Sequence, residues 1–344
     1  TPKQTNNSTV VAPSENIKML LGVGFGLLAC ALWGLTSLLP IVLPGYDTLY
    51  ISIARAIVMG LTALLGLWVQ KAYLSKVSFK DWKFAFVLTM IGNLIQPWFL
   101  FTAIQYAGVP LAATFFGLIP VLVAIIANER DRKKGKRYLP NSQLVLPLGL
   151  ILLGLTFSNY NGLVESFSSG NSAVNFVIGT AFAIASTVAW TWYPIRNADW
   201  LIEHPKVSPV FFTSMQCSLL LPFGLVLYVL VWYLKGDMPQ FLGPQPIDFV
   251  GWSLFAGVMC SFVATALWNA MSQRVPTALV GQMLVFETIF SVVWAHVYEW
   301  KLPPVSLVVG MACLVGGVVY ALKLFSSLEE KDKNEIVHEL PTEI

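Results

Sequence analysis

Residues 279–298 read LVGQMLVFETIFSVVWAHVY, one apolar helix with a single carboxylate, Glu287, near its middle. What Glu287 does there depends on the solvent around the helix, and composition identifies that solvent as lipid. Of 344 residues, 56% are hydrophobic and 11% charged, with mean hydropathy +0.69, which is too little charge to cover a soluble globule of this size. The chain therefore reads as an all-α polytopic membrane protein. A net charge of +3, carried by basic residues in short loops, offers no face for nucleic acid. Cys30, Cys217, Cys260 and Cys313 each fall in a different apolar segment, a pattern of neither a disulfide framework nor a metal site, and no cofactor is expected.

A bilayer core takes roughly 17 to 25 helical residues. Ten apolar runs fit that length: 19–41, 47–69, 84–106, 109–127, 142–158, 174–195, 208–234, 249–271, 277–298 and 304–325. The polar start, TPKQTNNSTVVAPSEN, lacks the order of a cleavable signal peptide, so residues 1–18 read as a disordered tail and the first run as a retained span. With the N-terminus inside, 18 of the 21 Lys and Arg fall in inside segments: Lys3, Lys18, Lys71, Lys76, Lys80, Lys83, the cluster at 130–137, Arg196, Lys206, Arg274, Lys323, Lys331 and Lys333. Lys235 and Lys301 fall outside, and Arg55 lies within the second span. Both termini then read as cytoplasmic, 159–173 as an outside loop, and 326–344 as a mixed-charge, solvated tail.

Residues 102–125, TAIQYAGVPLAATFFGLIPVLVAI, echo 268–293, WNAMSQRVPTALVGQMLVFETIFSVV, through a Val-Pro turn into a long apolar helix. With a two-residue gap, Ile119-Pro120 falls on Glu287-Thr288. More weakly, 26–34, GLLACALWG, echoes 181–191, AFAIASTVAWT, pairing Trp33 with Trp190. Five spans separate the copies, an odd number, so the second copy is upside down relative to the first. The expected fold is two inverted five-helix repeats, 19–158 and 174–325, around a central cavity.

These residues resemble the EamA branch of ten-span carriers in the drug/metabolite transporter superfamily. The resemblance rests on ALWG (31–34), Arg55, the 102–125 stretch, VAWTWYPIRN (188–197), SPVFFTSMQ (208–216) and the start of the 268–293 stretch, in that order, and covers about residues 20 to 325. It implies a cavity lined mainly by spans one, three, four, six, eight and nine, and transport of small organic metabolites, often outward. The basic loop after Glu129 and the long polar segment 158–174 depart from the pattern.

Glu287 alone among the 18 acidic residues lies deep in a span. A charge at the bilayer centre is unfavourable by at least about 2.5 to 3.5 kcal/mol, so the carboxylate needs a proton, a cation or a wet cavity. Glu287 is thus either the group that binds substrate and the coupling proton or a structural carboxyl bonded to a neighbouring helix. Trp33, Trp98, Trp190, Tyr193 and Trp268, with Asn93, Gln96, Asn269 and Gln282, are the expected lining of an amphipathic pocket, helix packing being the alternative for each. Arg55 is expected to be structural or gating, either snorkelling toward headgroups or bonding backbone carbonyls at a helix end, with a pairing to Glu287 left open, and Pro120 is a candidate hinge. His296 lies nine residues after Glu287, on roughly the opposite face, too far for a direct relay.

The chain carries no His-Glu-x-x-His, Gly-x-Ser-x-Gly or Walker loop, so neither an enzyme nor an ATP-driven pump is expected. The expected function is secondary transport by alternating access across a bacterial inner membrane. The cargo is an amino acid or similar zwitterion, exported against protons, with efflux of organic cations or drugs, or uptake, as the alternatives. Its partners are then substrate, lipid and protons, and whether it is a monomer or dimer is left open. Topology is tested first: cysteines placed at 160–172 and 236–246 should be modified from outside intact cells, and cysteines at 132–138 should not. Outside labelling at 132–138 would overturn the orientation.

Overall fold

The computed structural model describes residues 15–107, 109–133, 138–168, 173–235, 240–275 and 277–339, so the tail before residue 15 and parts of three expected loops lie outside the described residues. Among the described residues the secondary structure is entirely helical. Helices α1 (Glu15–Thr36), α2 (Thr48–Val69), α3 (Phe79–Ala107), α4 (Val109–Phe116) and α5 (Ile119–Lys133) lead to α6 (Asn141–Ser168). Then follow α7 (Ala173–Glu203), α8 (Pro209–Leu234), α9 (Pro246–Ser272), α10 (Thr277–Glu299) and α11 (Val305–Glu339). Local signals set the starts. The Asp47 carboxylate accepts from Leu49 N at 2.8 Å at the head of α2, Ser78 and Asp81 form a reciprocal capping box at α3, and Ser208 caps α8 ahead of Pro209.

Among the described residues, seven of the ten expected spans are helices long and apolar enough, by length and composition, to cross a membrane. The other three differ from expectation. The fourth, expected as one helix over 109–127, is broken at Gly117-Leu118 into α4 and α5, because Pro120 has no N–H to continue the ladder and sits instead in the first turn of α5. The fifth has an apolar part of only 142–157, yet α6 runs on to Ser168, making most of the expected outside loop helical; no proline stands in SNYNGLVESFS to stop it. The tenth has its apolar part at 305–321, and α11 continues to Glu339 through residues expected as a solvated tail.

Helix α1 packs on α9 and α10, and α7 packs on α3 and α4; α2 pairs with α8, α5 crosses α10, and α6 lies along α11. The α6–α11 crossing is close because Gly154 has no side chain: a Cβ there would lie 2.6 Å from Gly310 O. Polarity is arranged as lipid demands. Ser52, Thr89, Asn197, Gln216, Asn269 and Ser272 are fully buried, whereas Leu65, Trp68, Val226 and Tyr233 face outward.

Within α3 and α9 the ladder widens to one π-helical turn each, Met90–Ile95 and Val258–Val263. Arg55 of α2 lies between these two turns. Its Nη2 donates to Asn93 O at 2.9 Å and its Nη1 to Ser261 Oγ at 2.7 Å, while Ser261 Oγ donates to Ala256 O at 2.7 Å. The guanidinium is buried, with only its Nε left without a partner among the described residues. Hydrogen bonds from a charged donor contribute about 1.5 to 3 kcal/mol each. Arg55→Ala should therefore lower the unfolding midpoint of the detergent-solubilised protein by roughly 5 °C or more. Arg55→Lys should recover only part of the loss, since one ammonium lacks the planar fork that reaches both turns. Unchanged midpoints in both variants would show that the clamp contributes nothing.

Candidate functional site

Glu287 sits mid-way along α10, half-buried, where α10 meets α1 and α7. The α1 contact is close because of Gly34: a Cβ there would stand 2.8 Å from Ser291 N. Cys30 Sγ donates to Met283 O at 3.3 Å and Trp294 Nε1 to Ala31 O at 2.8 Å, so the two helices are tied on either side of Glu287. The carboxylate accepts one long bond, 3.4 Å, from Trp190 Nε1 of α7. Among the described residues no Lys, Arg or His pairs with it.

From Trp190, which donates to this carboxylate, a row of three indoles runs across three helices. Trp33 of α1 meets Trp190 edge-on, with centroids 5.3 Å apart, and Trp268 of α9 at 4.9 Å. Phe116, the last residue of α4, stacks on Trp190 at 6.3 Å. Trp268 is fully buried, and its Nε1 has no partner among the described residues. One carboxylate and several indole faces make a set suited to an ammonium group with an apolar body, while the unpaired Trp268 N–H is a donor left for an acceptor.

The other candidates divide. Tyr193 stacks on Trp190 at 5.1 Å, and its hydroxyl donates to Gln216 Oε1 at 3.1 Å. Asn269 accepts from Asn197 Nδ2 at 2.7 Å. Gln96 Nε2 donates to Ser186 Oγ at 3.2 Å, joining α3 to α7, and the Asn93 side chain donates to Thr89 Oγ1 within α3. Gln282 Nε2 reaches Pro120 O at 3.5 Å, which places the break before α5 against α10. Trp98 stands apart from the indole cluster, packed on Phe99 and Phe182. Arg55 is committed to the π turns, and His296 lines a cavity of about 370 Å³ with Trp300, Lys301 and Met311 where α10 passes to α11.

Asn197, Gln216, Thr213, Phe116 and Cys30 are not in the sequence-based set. A signal existed for Asn197: Trp190, Tyr193 and Asn197 stand at i, i+3 and i+7 on one helix and share a face. Nothing local marks the others.

The model of the EamA-like transporter family matches residues 20–128. Inner membrane protein YtfF of Escherichia coli is 33% identical over 329 residues, 93% of this chain and all of that protein. An alignment of 182 positions with the probable potassium transport system protein Kup of Nitrobacter winogradskyi is 28% identical and covers 46% of this chain and 28% of that protein. A solved structure described only as a crystal structure of a protein superposes with a TM-score of 0.67 over 90% of this chain and 98% of its own, at 18% identity, which shows a shared fold alone. By its likeness to YtfF along the whole of that protein, together with the family match, the chain belongs to the EamA-like transporter family of the drug/metabolite transporter superfamily.

Proposed function

We propose that the chain is a secondary-active carrier of the inner membrane that exports a small organic metabolite bearing an ammonium group, an amino acid in the first instance, with Glu287 as the proton-coupling carboxyl. The observation that carries this reading is the position of Glu287: mid-span, without an ion pair among the described residues, and bonded to Trp190, the end of a row of indoles that continues through Trp33 to Trp268. An intramembrane carboxylate with no ion pair among the described residues is suited to taking up and releasing a proton as the site changes side. Location in the inner membrane follows the description of YtfF.

Alternating access is supported by the packing pattern. Exchanging spans one to five with six to ten turns the α1 contact with α9 into the α7 contact with α3, and the α1 contact with α10 into the α7 contact with α4; the α2–α8, α6–α11 and α5–α10 pairs map onto themselves. The two π turns fall in spans three and eight, which are also exchanged. An inverted repeat of ten spans accounts for both regularities.

Efflux of organic cations is the second reading, and one observation favours it. A zwitterion brings a carboxylate that needs its own cation, and Arg55, the deep one, is occupied at the π turns.

Glu287→Gln in liposomes separates the roles, using an amino acid or amine that stabilises the purified carrier. A coupling carboxyl predicts that pH-driven accumulation fails while substrate exchange persists, because exchange needs only reorientation of the loaded carrier. Loss of both would make Glu287 a direct ammonium ligand, and full pH-driven accumulation would contradict coupling through Glu287.

A further inference from the structure

Below the indole cluster, three helices close one hydrogen-bond circuit. Asn197 Nδ2 of α7 donates to Asn269 Oδ1 of α9 at 2.7 Å, and Asn269 Nδ2 donates to Thr213 Oγ1 of α8 at 2.8 Å. Gln216 Nε2 of α8 donates to Asn197 Oδ1 at 3.0 Å, and Tyr193 Oη donates to Gln216 Oε1 at 3.1 Å. All five side chains are at most 1% exposed.

Position gives the circuit its meaning. Asn197 lies two turns beyond Trp190 toward the short connection at 204–208, at the end of the bundle where Arg130, Arg196 and Lys206 collect. That end is cytoplasmic by the cation bias of the sequence. The circuit therefore stands between Glu287 and the cation-rich end. On the other side, α10 is buried over 280–285 but partly exposed over 289–296, so the packing around Glu287 is looser toward the opposite end.

We propose that the Asn197–Asn269–Gln216–Thr213 circuit is the gate that closes the path from Glu287 to the cation-rich end, with Tyr193 as its link to the site. Amides suit this task. A seal of apolar side chains opens only by wetting hydrocarbon, whereas amides trade one another for water at small net change, because a hydrogen bond exchanged with water contributes little. While closed, each amide satisfies its neighbour in a low dielectric, which fixes the register of the three helices. Trp190, which donates to Glu287, is stacked on Tyr193, so one helix, α7, carries Trp190 at the site together with Tyr193 and Asn197 of the circuit.

The gate rests on the reading of Glu287 as the transport site, yet its test uses no substrate, so the two fail separately. Cys30, buried beside Glu287, is the reporter. The full chain is placed in right-side-out and inside-out vesicles and treated with a membrane-impermeant sulfonated maleimide, and alkylation of the Cys30 peptide is followed by mass spectrometry. Asn197→Ala with Asn269→Ala should raise the rate from the cation-rich end about five-fold or more, the shift expected per net hydrogen bond lost, and leave the other end unchanged. Tyr193→Phe keeps the ring and its stack but removes one bond, so it should give a smaller rise from the same end. Should the double variant fail to insert, Tyr193→Phe decides alone. A rate unchanged from the cation-rich end, or raised equally from both, overturns the gate.

Discussion

A guanidinium in the middle of an apolar bundle has to be satisfied by protein, and the way Arg55 is satisfied organises the rest of the molecule. Its two terminal nitrogens reach the π-helical turns of α3 and α9, where widening of the ladder frees the Asn93 carbonyl and brings Ser261 inward. The same two helices carry Gln96 and, just beyond the second turn, Trp268 and Asn269. One cation on α2 thus ties α9, which supplies Trp268 and Asn269, to α3, which holds α7 through the Gln96–Ser186 bond.

Beyond that clamp the interior has two chemistries. Next to Glu287 it is aromatic, with Trp33 held between Trp190 and Trp268. Toward the cation-rich end it is amide, with each group paired to another. Aromatic faces hold an organic cation without a fixed hydrogen-bond pattern, whereas paired amides hold helices in one register. The division matches what a carrier needs, a tolerant site and a defined closure, and α7 joins them through the Trp190–Tyr193 stack.

Much of the architecture was legible because lipid makes simple demands: long apolar runs, cations on one side, and polar residues conspicuous by rarity. Glu287, Trp33, Trp190 and Trp268 stood out on that ground and do come together. For Arg55 the sequence left two roles open, snorkelling to headgroups or bonding carbonyls, and did not place the π turns that it bonds. The π turns MIGNLI and VMCSFV contain no breaker that distinguishes them from ordinary helix. The break before Pro120 removes an expected continuous span, because a proline that would kink one long helix can equally begin a second. Trp98 looked equivalent to Trp33 and is not, since composition does not say which face of α3 turns toward Phe182. The amide circuit joins residues 19, 56 and 72 positions apart, a convergence that only packing reveals.

The most direct measurement is a thermal-shift screen of amino acids and organic amines on the purified wild-type chain, repeated for each hit on Trp33→Ala and Trp98→Ala. If substrate rests on the indoles beside Glu287, the hits stabilise wild type and Trp98→Ala alike and lose their effect on Trp33→Ala. Stabilisation that survives in Trp33→Ala and disappears in Trp98→Ala would place the substrate against α3 and Phe182 and contradict the assignment of the site.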